Sequence, residues 1–117
     1  MVTGGFRSVE VMDLALNSGK ADVIGMGRPF IIDPEFPAKL LSGVCDSAPS
    51  VERNFPAAEE VPKGAVLNWF CDQLALYGIS GNGDSTVPLI EGHERYLATI
   101  SAKTEKLLET RKQSQSE

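Results

Sequence analysis

Two short segments, MVTGGFR at residues 1–7 and ADVIGMGRP at residues 21–29, decide how this chain is predicted to fold. In each segment, a few apolar residues typical of a buried strand run into a glycine-rich turn. Neither segment alternates strictly between polar and apolar residues, as expected of parallel strands covered on both faces. The residues between them have the length of a helical crossover. The pair therefore predicts a βαβ arrangement within an α/β fold.

Helical spacing and terminal signals predict the other elements. Ser8 is a good N-cap, and Gly19 a good stop, for a helix over residues 8–18. Asp33 as N-cap and Pro34 at the first helical position predict the start of the next helix. The elements predicted beyond these starts are helices over residues 34–41, 65–77 with a stop at Gly78, and 91–111, and a connector over residues 44–63.

Composition excludes several classes of protein. The chain has 117 residues, of which 42% are hydrophobic and 23% charged, as in ordinary globular proteins. The formal net charge of −5, with no cluster of Lys and Arg, argues against a nucleic-acid partner. No apolar run approaches the roughly 18 residues of a membrane-spanning helix. We therefore expect neither nucleic acid nor a membrane as partner.

The cysteines favour a reducing compartment. Cys45 and Cys71 lie far apart in sequence, and no CxxC motif or Cys/His cluster predicts a metal site. Free thiols are expected, with a disulfide as the alternative. Because the chain also has no Asn-x-Ser/Thr sequon, the predicted location is cytoplasmic.

The glycine-rich turns carry the chemistry. Glycines after a strand let a ligand approach the backbone and its N–H groups, and helix N-termini favour anions. Arg28 can add a bidentate guanidinium for phosphate oxygens. Two alternatives remain open: the glycines form only tight turns, or Arg28 forms a structural salt bridge with Asp22 or Asp33. The residues predicted to hold a phosphate-bearing ligand are Gly4, Gly5, Gly25, Gly27 and Arg28.

Residues 2–41 closely resemble the C-terminal part of the Old Yellow Enzyme family, the FMN-dependent NADH:flavin oxidoreductases and NADH oxidases. The motifs that carry the resemblance are VTGGFRS at 2–8, ADVIGMGRPF at 21–30 and DPEFPAKL at 33–40. The 2-hydroxy-acid oxidases share the paired glycine motifs. The residues Phe6-Arg7-Ser8 and the run from Asp33 to Leu40 favour Old Yellow Enzyme over them.

The resemblance implies a fold and a cofactor. The fold would be the last two βα units of a TIM (β/α)8 barrel, residues 1–43, with strand 7 at 1–3 and strand 8 at 22–25. Residues 44–117 would form a connector and helical extension of the same domain. The five predicted residues would contact the FMN phosphate, mostly through backbone N–H groups, with Arg28 as the charged clamp.

The resemblance also implies an activity. In the family, NAD(P)H reduces FMN, which passes the hydride to an activated alkene, a quinone-like acceptor or oxygen. The family's substrate-binding His pair or His-Asn pair and its proton-donating Tyr would lie outside this chain, so no catalytic residue is predicted. His93 matches no catalytic position and is expected to be a surface residue.

A non-catalytic product is the alternative function. Two strands cut from a barrel would expose unpaired edges, so self-association of the fragment is expected. The chain could then be a truncated protein or a subunit that docks onto a separately encoded piece.

Overall fold

The structure is a computed structural model that describes residues 1–116, and it divides into two units. The first unit holds Met1–Phe55 with Gly83–Ser85, and the second holds Pro56–Asn82 with the residues from Thr86 onward. The division predicted from the sequence, 1–43 and 44–117 within one domain, stays a prediction.

A parallel strand pair and its crossover helix open the first unit. Strand β1 (Val2–Thr3) pairs with β2 (Ile24–Gly25), and helix α1 (Val9–Asn17) connects them. The Ser8 side chain accepts a hydrogen bond from the Val11 amide, as expected of an N-cap. The predicted βαβ connection and its helix are therefore confirmed, although each strand has only two residues.

Two short helices follow β2. Helix α2 (Arg28–Ile32), which the sequence analysis missed, begins directly after the second glycine turn. Helix α3 (Phe36–Leu41) begins two residues later than predicted, because Asp33 closes α2 and accepts from the Glu35 amide. A 3₁₀ helix at Val51–Asn54 completes the unit. Its core is small and consists of Met12, Ala21, Pro29, Phe36 and Ala48.

The prediction of an α/β fold made of the last two βα units of a TIM barrel is wrong, because the described residues form a mainly helical structure. Helices hold 61% of the chain, and the described residues contain only the two-stranded sheet. A barrel strand is hydrogen-bonded on both sides, whereas each strand here has one neighbour. The apolar segment at 21–27 consequently pairs over two residues, and Val23 is 53% exposed.

Two helices form the second unit. Helix α4 (Ala65–Ser80) packs on α5 (Leu89–Ser116) after another 3₁₀ turn at Ala58–Glu60. Trp69 and Phe70 are buried in this unit, with ring centroids 5.1 Å apart, and contribute to its core.

The ends of both helices differ from the sequence prediction. Helix α4 does not stop at Gly78, because Gly81 is the glycine with left-handed backbone, at φ 76°. Helix α5 extends beyond the predicted 91–111 at both ends. All of its residues from 101 to 115 are exposed. None of the helices in the described part of the chain combines the length and apolarity needed to cross a membrane.

Candidate functional site

The two glycine turns meet in the first unit and form one cleft, which we call the glycine cleft. Its volume is about 380 Å³. Four of the five residues predicted to hold phosphate lie in its wall, whereas Gly25 does not. The lining residues are Gly4, Gly5, Arg7, Met26, Gly27, Arg28 and Pro29.

The first turn depends on two consecutive glycines with positive φ. Gly4 has φ 102° and Gly5 has φ 77°, conformations that residues with a Cβ rarely adopt. The Gly4 amide donates to the Gly25 carbonyl at 3.3 Å, which ties the first turn to the second strand. The Gly4 N–H is therefore already used within the fold.

Two other backbone donors of the glycine cleft remain available. Within residues 1–116, the amides of Gly5 and Gly27 donate no hydrogen bond. Gly27 is the N-cap of α2, so its peptide lies at the positive end of that short helix. These two N–H groups are therefore available to a ligand.

Gly25 has a structural reason to be glycine. It lies opposite Thr3 in the strand pair, and an added Cβ would overlap the Thr3 hydroxyl. The absence of a side chain at Gly25 therefore allows the strands to approach. Its contribution to the cleft is indirect, through the carbonyl that holds Gly4.

Two arginines supply positive charge. Arg28 is the first residue of α2 and is exposed at the cleft wall. Asp33, one of the acids considered as its partner, pairs with the Lys39 ammonium at 2.6 Å. Arg7 lines the same cleft, and its Nη1 donates to the Phe6 carbonyl at 2.8 Å.

An acidic side chain, Glu52, lies against Arg7. Its carboxylate forms an ion pair with Arg7 Nη2. Burial alone would raise the pKa of Glu52, but a hydrogen bond to its own backbone and the charges of Arg7 and Arg28 outweigh burial. The pKa of Glu52 therefore lies below its ordinary value, and the side chain is ionised at neutral pH.

The sequence analysis did not assign roles to Arg7 and Glu52. Arg7 follows the first glycine turn directly, so its position was a usable signal. Glu52 lies 45 residues further along in the connector, where no motif marks it. Their pairing becomes visible only once the chain is folded.

His93 is not the surface residue that the sequence predicted. Its side chain is 7% exposed, and its Nδ1 lies 3.0 Å from the Asn68 amide nitrogen in the second unit. This is the arrangement of a core histidine with a satisfied hydrogen bond.

The two cysteines and Tyr96 are not among the residues that line the glycine cleft. Both cysteines are free thiols. A hydrogen bond with Cys71 raises the pKa of Tyr96. Among residues 1–116, no group of three or more His, Cys, Asp or Glu side chains could hold a metal ion.

One known protein is similar to part of this chain. A stretch of 41 residues, 35% of the chain, is 43% identical to the NADH-dependent flavin oxidoreductase iccE of Talaromyces variabilis. That stretch spans about a tenth of the relative's length. No family model matches the chain, and no solved structure matches it significantly. The similarity is a distant link to flavin oxidoreductases over a short segment.

Proposed function

We propose that the glycine cleft binds the phosphate group of FMN. The observation that carries this proposal is the meeting of Gly4, Gly5, Gly27 and Arg28 around one cleft. Free backbone N–H groups next to a guanidinium suit a phosphate monoester, because both kinds of group donate hydrogen bonds to phosphate oxygens. Gly25 contributes indirectly, because its carbonyl accepts the hydrogen bond that positions Gly4.

The partial relative supports a wider activity for the proposal. FMN, when bound, supplies an acceptor for the hydride of NAD(P)H and passes electrons to a small-molecule acceptor such as an activated alkene or quinone. We infer that this chain contributes the cofactor's phosphate end to an NAD(P)H-dependent flavin oxidoreductase. The relative's printed name, together with the cleft, supports this inference.

A docking subunit without its own activity is the second candidate. It is favoured by an exposed apolar cleft of about 470 Å³ beside the strand pair, lined mainly by apolar residues of the first unit. Exposed apolar surface of this kind is typical of a segment that packs against further protein.

Binding of FMN and riboflavin tests the proposed phosphate site. Riboflavin lacks only the phosphate, so we expect the parent chain to bind FMN more tightly than riboflavin. Arg28→Ala should lower FMN affinity by about tenfold, the effect of losing roughly 1.4 kcal/mol of charged hydrogen bonding, and should leave riboflavin unchanged. Fluorescence titration of the flavin measures both constants.

The matched control is Arg111→Ala, which removes the same charge from the exposed end of α5. It should leave FMN affinity unchanged. Equal FMN binding by the Arg28 and Arg111 variants would contradict the assigned role of Arg28.

A further inference from the structure

Glu52 is the acidic partner of Arg7, one of the residues that line the glycine cleft. The Glu52 carboxylate pairs with Arg7 Nη2, and both side chains are about one-fifth exposed, at 21% and 19%. Carboxylates and phosphates compete for the same guanidinium N–H groups, because both present paired oxygens to the fork. Glu52 therefore occupies part of the guanidinium of Arg7, an arginine that lines the glycine cleft.

Glu52 contacts only one nitrogen of the Arg7 guanidinium. Nη1 is fixed to the Phe6 carbonyl at 2.8 Å, and only Nη2 contacts Glu52. Nε is buried and has no hydrogen-bond partner in the described part of the chain. Removing the Glu52 carboxylate would thus free an N–H donor while the Phe6 bond keeps the guanidinium beside the cleft.

Electrostatics also favours competition between Glu52 and an anionic ligand. Arg7 and Arg28 line the cleft, and the Glu52 carboxylate pairs with Arg7. A phosphate monoester carries close to two negative charges at neutral pH. Removing the negative charge of Glu52 would remove its repulsion of such an anion.

We propose that Glu52 is an internal competitor that occupies Arg7 until a phosphate ester displaces it. This inference rests on the proposed phosphate site and concerns its regulation. Entry of the ligand exchanges the Arg7–Glu52 ion pair for an Arg7–phosphate pair. Glu52 thereby lowers the affinity of the cleft for phosphate esters and makes weaker anions poor ligands.

Glu52→Gln tests the competitor directly, with inorganic phosphate and FMN as probes in isothermal titration calorimetry. We expect the variant to bind each probe about threefold to tenfold more tightly than the parent, as for loss of one screened charge near the site. Combining it with Arg7→Ala should abolish the gain, because the freed donor is then missing. Glu10→Gln removes an exposed charge from α1 and should change neither affinity.

The outcomes separate this inference from the proposed function. Equal binding by the parent and Glu52→Gln would keep the phosphate site and overturn the competitor. Binding by the variant alone would support the competitor and contradict phosphate binding by the parent. Weaker binding by the variant, or no binding by either protein, would overturn the competitor. If circular dichroism shows Glu52→Gln to be unfolded, Glu52→Asp, which shortens the side chain, should give a smaller gain in the same direction.

Discussion

At the scale of single residues, glycines in similar sequence surroundings have different physical roles. Gly4 and Gly5 are needed for their positive φ, whereas Gly25 is needed because Thr3 lies where its Cβ would be. Gly27 has neither constraint, since its φ is −111° and no atom lies within 4 Å of an added Cβ. The motif indicated that glycines cluster, but the reason for each one required the register of the strands.

Two helical glycines in the second unit give a matched pair. An added Cβ at Gly92 would lie 2.5 Å from Trp69 Cδ1, whereas at Gly78 it would meet nothing within 4 Å. Gly92→Ala should therefore destabilise the protein by about 1–3 kcal/mol through overpacking. Gly78→Ala should stabilise it by roughly 0.5–1 kcal/mol, because alanine is the better helix former.

Urea unfolding followed by Trp69 fluorescence measures both changes. The opposite signs are the informative result. A stabilising Gly92→Ala would show that α5 does not approach the Trp69 ring as described.

At the scale of elements, local signals predicted helices better than strands. The N-cap Ser8 directly precedes α1, and the apolar residues of 65–77 lie within α4 itself. Both signals are therefore local to the helix that they predict. Strand length depends on neighbours instead, and each strand here has only one. The sequence patterns at 1–7 and 21–29 could therefore indicate strands but could not show how far they pair.

The junction of α2 and α3 depends on an ionised Asp33. Its carboxylate accepts from the Glu35 amide at 3.1 Å and pairs with Lys39. The hydrogen bond with Lys39 is the largest cause that lowers the pKa of Asp33. A pKa that is lower in the folded state stabilises the fold above the unfolded value of about 4, and this contribution is lost as the pH falls further.

Asp33→Asn should accordingly lower the melting temperature at pH 7. Below about pH 4, the melting temperature of the variant should fall less steeply with pH than that of the parent. Asp22→Asn, at an exposed position in the same unit, is the matched control and should change the melting temperature less. Thermal melts followed by circular dichroism from about pH 2.5 to about pH 7, a range that spans the ordinary Asp pKa of about 4, measure the effect. Parallel curves for the parent and Asp33→Asn would contradict this contribution.

At the scale of the whole molecule, the sequence indicated the two glycine turns that meet in one cleft, whereas its fold class was wrong. The glycine turns are short and local, and the strand pair with its crossover helix brings them together. The barrel depended on strands that the described residues do not contain. The Arg7–Glu52 pair could not be predicted, because 45 residues separate its members and only folding joins them.

The central claim is that the glycine cleft of the first unit binds the phosphate of FMN. Titration of the ¹⁵N-labelled chain with FMN, followed by two-dimensional NMR, tests it most directly. The Gly5 and Gly27 amides donate no hydrogen bond within residues 1–116, so their signals should shift most. Riboflavin should leave them nearly unmoved. Equal shifts with riboflavin, or shifts confined to α4 and α5, would contradict the claim.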